Sequence, residues 1–147
     1  MDRIALWVDE DERIWAPERR LLTGLGFDVI AIGDASAALA KVQDGILNKV
    51  DLIILDVMLL RGENDHVFSA EATQDGLTTG LILAREIATL DPKLSPKMVF
   101  FTRATEETLV SLTRATAADL GMHFLAKGPR TQGRNFVNWL KTNGIIC

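Results

Sequence analysis

Four short apolar runs in this sequence each end at a residue type that could carry out chemistry. The runs and the residues that follow them are 4–8 with Asp9, Glu10 and Asp11, 52–55 with Asp56, 98–101 with Thr102, and 122–126 with Lys127. Runs this short and this apolar, bounded by helical patterns, are typical of buried parallel strands. In open α/β sheets the ligand site lies outside the carboxyl ends of the strands. If these runs are neighbouring strands, carboxylates, a hydroxyl and an ammonium converge at one edge of the sheet.

The acidic residues at two of these strand ends predict a metal site. Asp9, Glu10 and Asp56 would lie within a few ångströms of one another, and like charges that close cannot all stay ionised without a cation among them. Oxygen ligands favour a hard cation, and an incomplete protein cage that keeps several water molecules suits Mg²⁺. We therefore expect Mg²⁺ between the first and third strands.

Asp56 stands alone at its strand end, where its carboxylate could attack a phosphorus atom. Aspartate forms acyl phosphates in phosphoryl transfer, and the transition state spreads charge over three equatorial oxygens. Mg²⁺ would bind one of these oxygens, the Lys127 ammonium a second, and the Thr102 hydroxyl with nearby backbone N–H groups a third. No Ser-His-Asp or Cys-His set in the sequence indicates a different chemistry.

The elements that must position these residues alternate between strands and helices. The predicted strands are 4–8, 27–32, 52–55, 98–101 and 122–126, and the predicted helices are 13–25, 35–43, 76–90, a segment after residue 105, and 131–143. Strict alternation predicts a parallel sheet covered on both faces. Right-handed crossovers leave few topologies. We expect the flavodoxin-like, doubly wound (βα)5 fold with strand order 2-1-3-4-5.

Local signals predict where the helices begin and end. Asp34 and Thr105 are candidate N-caps, and Gly121 is a candidate C-cap. Pro17 is tolerated only if it lies in the first turn of the first helix. The residues predicted on buried helix faces include Ile14, Leu77, Leu109, Leu112 and Leu120.

Length and composition favour one soluble domain. The 147 residues contain no linker rich in Pro, Gly or Ser, so a single domain over 1–147 is expected. The net charge of −4 is spread without long blocks, which argues against a nucleic-acid-binding face. No stretch resembles a signal peptide or a membrane span of roughly 20 apolar residues. Cys147 is the only cysteine, which suits a reducing compartment, and we expect a cytoplasmic protein.

Residues 59–75 fit no periodic pattern and lie beside the predicted site. Loops longer than about 12–15 residues in compact domains are usually functional or disordered. Disorder is the default expectation for this segment. The alternative, that it docks a partner, rests on its length and position alone.

In its motifs and their order, the chain resembles the receiver domains of two-component response regulators over nearly its whole length. The motifs are Val8-Asp9-Glu10-Asp11, Leu55-Asp56-Val57-Met58, Phe101-Thr102 and Phe124-Leu125-Ala126-Lys127. Each motif is weak when taken singly. All of them in order, each at a strand end, form a specific pattern.

The resemblance implies roles for individual residues. Asp56 would accept a phosphoryl group from a sensor histidine kinase, a phosphotransfer protein or a small phosphodonor, and Lys127 would contact that group. The implied Mg²⁺ ligands are Asp9, Glu10, Asp56 and the backbone carbonyl of Met58. Thr102 and Phe124 match the switch pair of the family, whose hydroxyl moves to the phosphoryl group while the ring turns inward.

The same resemblance implies where the signal is read. Movement of the switch pair would remodel the face made by the fourth helix, the fifth strand and the fifth helix, so that a local charge event has a distant effect. A downstream protein target would bind this face. A homodimer through the same face is a further expectation.

Several positions depart from the usual pattern of the family. The acidic pair at 9–10 is Asp-Glu rather than Asp-Asp. Because Asp11 follows directly, the pair that matches the family could also be the one at 10–11, shifted by one residue. Arg103 stands where small residues are usual, so it would either hinder access to Asp56 or contact the phosphoryl group. Gly128 rather than proline follows Lys127, so a cis Lys-Pro bond is unavailable.

Two other functions remain open from the sequence. A pseudo-receiver would keep the fold and bind partners without phosphorylation, which Arg103 and the segment after Lys127 favour. A Mg²⁺-dependent phosphohydrolase would use Asp56 as nucleophile, but such enzymes usually carry a second aspartate where Met58 stands. Whether the domain acts alone or as part of a longer protein is also open.

Overall fold

Parallel strands form a single sheet in the described part of the chain. The computed structural model describes residues 3–11, 13–45, 49–103 and 105–147. The strands are β1 (Arg3–Val8), β2 (Phe27–Ile32), β3 (Val50–Leu55), β4 (Met98–Thr102) and β5 (His123–Ala126), and their order in the sheet is β2-β1-β3-β4-β5. This confirms the flavodoxin-like topology expected from the sequence.

Helices cover both faces of the sheet. They are α1 (Ala16–Gly24), α2 (Ala35–Gln43), α3 (Thr79–Leu90), α4 (Glu107–Leu120) and α5 (Arg134–Thr142), with 3₁₀ turns at Pro92–Lys97 and Pro129–Thr131. In β1, Leu6 and Val8 pack in a core cluster with α2, α3 and α4, whereas Ala5 and Trp7 pack with α1 and α5. Because both faces are buried, the central strands contain uninterrupted apolar runs, such as 52–55 in β3, and these runs show no alternation.

Several helix boundaries differ from the predicted ones. α1 begins three residues later than predicted, because residues 13–15 form a turn, and Pro17 lies in the first helical turn, where its missing N–H is not needed. Ile14, predicted to be buried, is 45% exposed. α3 begins at Thr79 rather than residue 76, which leaves Leu77 51% exposed, and α5 begins at Arg134 because a 3₁₀ turn precedes it.

The caps show which local signals were correct. The side chain of Asp34 accepts a hydrogen bond from the N–H of Ala37 at 2.7 Å, and Gly121 ends α4 at φ 72°, so both predicted caps are confirmed. The predicted Thr105 cap is wrong. Glu106 caps α4 instead, since its carboxylate accepts from the N–H groups of Thr108 and Leu109 at 3.0 Å each. These bonds lower the pKa of the Glu106 carboxyl.

The buried side of α4 agrees with the prediction at Leu109 and Leu120, which are half-buried against the core, but not at Leu112. Thr113, Thr116 and Ala117 are the buried residues of this helix, and Leu112 is 42% exposed. Each threonine hydroxyl donates to a carbonyl four residues earlier, to Leu109 and Leu112 respectively. These bonds satisfy the hydroxyls, so both threonines can be buried on the same helix face as Leu109 and Leu120.

The expected disorder of residues 59–75 is wrong, because this segment is folded onto the domain. Phe68 is fully buried in the core cluster beside α2 and α3. Thr73 is also fully buried, and its hydroxyl donates to the carbonyl of Ser69 at 2.7 Å. The backbone hydrogen bonds within residues 59–75 are turn bonds, such as Asp75 N–H to Ala70 O at 2.8 Å. This explains why the sequence of the segment shows no helical or strand period.

This segment also packs on the N-terminus of α2. The N–H of Ala35 donates to the carbonyl of Leu60 at 2.9 Å, and the N–H of Asn64 donates to Oγ of Ser36 at 2.9 Å. Gly62 lies against Ser36 at φ 77°, where a Cβ would overlap the side chains of α2. The segment therefore satisfies backbone groups at the beginning of α2 that the helix itself leaves unpaired.

Two further expectations concern the turn before β3 and membrane-spanning helices. The predicted turn over 45–49 lies partly outside the described residues, which omit 46–48. No helix within the described ranges has both the length and the apolar character to cross a membrane.

Candidate functional site

Backbone hydrogen bonds continue the sheet one residue past the strand ends and so align the candidate site residues. The bonds run from Asp9 N–H to Ile32 O at 3.0 Å, from Asp56 N–H to Val8 O at 2.9 Å, and from Lys127 N–H to Thr102 O at 2.8 Å. The polar residues therefore start from the same edge of the sheet. This is the edge at which open α/β sheets bind their ligands.

Lys127 joins the carboxylates of the first and third strands. Its Nζ lies 2.5 Å from Oδ2 of Asp9 and 2.9 Å from Oδ2 of Asp56. The lysine side chain is 4% exposed, and the two carboxylate side chains are 3% and 12% exposed. The ammonium lies between the carboxylates, where Mg²⁺ was expected from the sequence.

The other oxygens of the two carboxylates are held by the backbone. Oδ1 of Asp9 accepts from the N–H of Asp11 at 2.9 Å, and Oδ1 of Asp56 accepts from the N–H of Val57 at 2.7 Å. Each carboxylate is thus fixed by a backbone donor on one oxygen and by Lys127 on the other. Both keep unused lone pairs, since a carboxylate has about four acceptor positions.

Burial raises the pKa of the Asp9 carboxyl above its ordinary value of 3.8. The hydrogen bonds from Lys127 and from the Asp11 N–H oppose this effect, and the charge of Asp56 adds to it. Asp9 is therefore a carboxylate whose negative charge is disfavoured by its surroundings. Such a group gains from a nearby cation.

A cavity of about 170 Å³ opens over these residues. It is lined by the carboxylates Asp9, Glu10, Asp11 and Asp56, by the cations Arg103 and Lys127, and by Trp15 and Met58. Thr102 and Phe124 lie outside this lining. Thr102 is fully buried at the end of β4, and the ring of Phe124 is half-buried against the core with the Arg114 guanidinium 4.4 Å from its centroid.

The predicted three-carboxylate cluster is formed only in part. Among the described residues, no three Asp, Glu, His or Cys side chains are grouped closely enough to hold a metal ion. Asp9 and Asp56 come together through Lys127, and Glu10 is exposed at the rim. Lys127 supplies one positive charge beside two carboxylates, so a third carboxylate at the same place would be repelled.

The donor chemistry of this cavity nevertheless fits Mg²⁺. Asp9, Glu10 and Asp56 supply hard carboxylate oxygens, and Met58 lines the same cavity. Mg²⁺ usually keeps several waters and takes only one or two protein carboxylates, so it does not need a preformed all-protein cage.

Aromatic rings form the wall behind Lys127, and neither ring was predicted to be part of the site. Nζ of Lys127 is 5.4 Å from the ring centroid of Trp15 and 5.6 Å from that of Phe101. The two rings contact each other edge to face, with centroids 4.7 Å apart. Trp15 is 1% exposed. These rings exclude water from the lysine stem and attract its charge.

Gly80 is a second residue that the sequence reasoning missed. Its N–H donates to the carbonyl of Val57 at 2.7 Å, and a Cβ at this position would lie 2.0 Å from the carbonyl oxygen of Asp56. The beginning of α3 therefore packs directly on the backbone of Asp56. A glycine inside a periodic helical pattern is the signal that could have indicated this close approach.

Comparisons with known proteins identify the fold. No protein-family model matches the sequence, and no curated protein matches it. A CheY-like response regulator receiver domain protein from Methanospirillum hungatei is similar at 18% identity, with a TM-score of 0.67 over 95% of this chain and 91% of the other.

Two further solved structures have the same fold. The response regulator TrrA of Thermotoga maritima, solved with Mg²⁺-BeF, has 22% identity and a TM-score of 0.63 over 97% of this chain and 99% of that one. CheY4 of Vibrio cholerae, a chemotaxis protein, has 19% identity and a TM-score of 0.64 over 95% of this chain and 97% of its own. The chain therefore has the fold of CheY-like response regulator receiver domains, which confirms the resemblance found in its motifs.

Proposed function

We propose that this chain is a response regulator receiver domain that accepts a phosphoryl group on Asp56 in a Mg²⁺-dependent reaction. The observation that carries the proposal is the bridge from Asp9 through Lys127 to Asp56 at the carboxyl edge of a receiver-type sheet. A buried lysine shared by two carboxylates is an expensive arrangement for stability alone. Its presence at the ligand-binding edge favours a role in binding negative charge.

The chemistry follows from the same contacts. A carboxylate oxygen of Asp56 attacks the phosphorus atom of the donor, and a P–O bond forms as the bond from phosphorus to the donor breaks. The bonding electrons leave with the donor, which is the imidazole of a phosphohistidine or the carboxylate of a small acyl phosphate. Asp56 then carries the phosphoryl group as an acyl phosphate.

The neighbouring residues position and neutralise this group. Lys127, already 2.9 Å from Asp56, contacts a phosphoryl oxygen, while the Val57 N–H holds the other carboxylate oxygen in place. Mg²⁺, held by Asp9, Glu10, Asp56 and the Met58 carbonyl, supplies charge neutralisation when bound. The reaction modifies the protein once and is reversed by hydrolysis, so the domain is a phosphorylated signalling protein and not a turnover enzyme.

The proposed partners follow from the fold and the site. A sensor histidine kinase or phosphotransfer protein supplies the phosphoryl group, and a downstream protein target or a second copy of the chain binds the α4-β5-α5 face. Thr102 and Phe124 act as the switch between site and face. The backbone bond from Lys127 N–H to Thr102 O links the site directly to β4 and β5. We further propose a single cytoplasmic domain over residues 1–147.

Intact-protein mass spectrometry tests this function. The protein is incubated with acetyl phosphate or phosphoramidate and Mg²⁺, beside Asp56→Asn. We expect one phosphoryl adduct that hydroxylamine removes and that Asp56→Asn and excess EDTA abolish. A protein that forms no adduct is the pseudo-receiver, and one that releases phosphate over many turnovers is the hydrolase. Either result refutes the proposal.

A further inference from the structure

Arg103 is the one cation lining the acidic cavity to which the proposed reaction assigns no role. It follows Thr102 directly at the end of β4 and is exposed. It lines the cavity that holds Asp56 and Lys127. In the part of the chain that the structure describes, the ion pairs within 4 Å involve Lys127 and Arg85 but not Arg103. Its guanidinium donors are therefore not engaged by a described carboxylate.

Trp15 holds the guanidinium at the cavity. The central carbon of the Arg103 guanidinium lies 5.8 Å from the centroid of the Trp15 ring. The same ring is 5.4 Å from Nζ of Lys127 and is fully buried, so it is fixed by its packing. Stacking on an aromatic face is a preferred arrangement for arginine. One rigid indole thus orients both cations of the site.

The charges of the cavity explain what a second cation would do. The single ammonium of Lys127 already contacts two carboxylates, at 2.5 and 2.9 Å. Phosphorylation replaces the single negative charge of the Asp56 carboxylate with about two negative charges and brings three acceptor oxygens to the same place. Lys127 cannot satisfy all of these oxygens, because it presents a compact point charge. Arginine presents a planar fork that binds two phosphate oxygens at once.

We propose that Arg103 binds the phosphoryl group on Asp56 and that Trp15 is the positioning residue that holds it there. This rests on the proposed phosphorylation of Asp56 and adds a residue that determines how well the donor and the product are bound. Arg103 contacts the phosphoryl group both in the bound donor and in the phosphorylated product. Its removal therefore weakens donor binding and shortens the life of the acyl phosphate.

The test compares Arg103→Ala, Arg103→Lys and the wild-type protein, with Arg85→Ala as the control. Arg85 is an exposed arginine on α3 that pairs with Asp119 and lines none of the cavities at the site. The rate of adduct formation is measured against acetyl phosphate concentration at fixed Mg²⁺. The decay rate is measured after the donor is removed.

We expect Arg103→Ala to require about tenfold more donor for half-maximal rate and to lose its phosphoryl group several-fold faster, as removal of a charge-assisted hydrogen-bond pair implies. Arg103→Lys is expected to fall between alanine and wild type, and Arg85→Ala to match wild type. Trp15→Phe should give a smaller change than Arg103→Ala, and in the Arg103→Ala background its effect should shrink to the part that acts through Lys127.

The outcomes separate this inference from the function on which it rests. If the wild type forms no adduct, the proposed function fails. If the wild type forms the adduct and Arg103→Ala matches it within twofold in donor dependence and decay, the inference is refuted while phosphorylation stands. A faster reaction in Arg103→Ala also refutes it, because that result shows that Arg103 obstructs the donor.

Discussion

Replacement of Lys127 by methionine tests whether the ammonium is the counter-charge of the acidic site. Methionine has a similar length and is apolar, so it can occupy the same space beside Trp15 and Phe101, and the substitution removes mainly the charge. Asp9 and Asp56 would then be two carboxylates, 3% and 12% exposed, without their shared cation. Lys127→Met should therefore be destabilising at neutral pH.

The size of the effect follows from burial and distance. Unit charges about 4 Å apart interact by about 4 kcal/mol at an effective dielectric constant of about 20. Removal of one partner from a buried pair typically costs about 3–5 kcal/mol. We expect Lys127→Met to lower the free energy of unfolding by about 3 kcal/mol at pH 7. This is a large share of the roughly 5–15 kcal/mol typical of a domain.

The pH dependence gives the diagnostic result. The pKa of Asp9 is already raised in the wild type, and the loss of the ammonium raises it further. The folded variant then binds protons more tightly than the unfolded chain, so its stability falls as pH rises from 3.8 through the raised pKa. The loss in free energy of unfolding of Lys127→Met relative to wild type should be small below pH 3.8 and fully present at pH 7.

Urea denaturation at both pH values, with and without Mg²⁺, measures this effect. Lys141→Met removes an exposed lysine from α5 and is the matched control. Mg²⁺ and the second substitution Asp56→Asn should each restore part of the stability lost in Lys127→Met at pH 7. A deficit below 1 kcal/mol, or one equally large at low pH, would refute the counter-charge argument.

Further substitutions test the close packing at Gly80, the charge of Asp9 and the anchoring of residues 59–75. Gly80→Ala would bring a Cβ to 2.0 Å from the Asp56 carbonyl oxygen, so we expect a loss of about 1–3 kcal/mol and slower adduct formation. Gly24→Ala, with nothing within 4 Å of its Cβ, should be neutral or stabilising. Asp9→Asn removes a carboxylate of raised pKa, so thermal denaturation at pH 7 should show a higher midpoint than in the wild type. The gain should vanish below pH 3.8, while Mg²⁺ affinity, measured by calorimetry, falls at least tenfold. Phe68→Ala should cost about 3–5 kcal/mol in urea denaturation if residues 59–75 are packed as observed, and almost nothing if they are not.

The fold could be predicted because its signals are local and repeated. Each central strand is buried on both faces, so it reads as an uninterrupted apolar run such as Leu52 to Leu55. Glycine and aspartate mark helix ends through their own backbone preferences, as Gly121 and Asp34 do. The strand order then follows from alternation and the handedness of the crossovers.

The boundaries and the insertion could not be predicted because tertiary contacts decide them. Thr105 and Glu106 are both possible caps by type, and only the backbone path after β4 selects Glu106. Phe68 gives residues 59–75 a buried anchor, but one aromatic residue in an aperiodic segment carries no sequence signal. Leu112 follows the helical period and is nevertheless exposed, whereas Thr113 and Thr116 are buried with their hydroxyls bonded within α4.

The site was predictable in its residue types and less so in its arrangement. The strand ends placed Asp9, Asp56 and Lys127 at one edge, since parallel strands in register end together. That Lys127 lies between the carboxylates depends on side-chain conformation and charge balance, which spacing does not encode. The wall formed by Trp15 comes from the turn before α1, whose path was predicted as helix.

Site-specific reduction of the phosphorylated protein shows directly whether Asp56 is the residue that carries the phosphoryl group. Borohydride converts an aspartyl phosphate to homoserine, and peptide mass spectrometry locates the altered residue. After incubation with acetyl phosphate and Mg²⁺, we expect homoserine at position 56 alone, and none without donor or Mg²⁺. An unchanged Asp56, or homoserine at another carboxylate of the cavity such as Asp9 or Asp11, would contradict it.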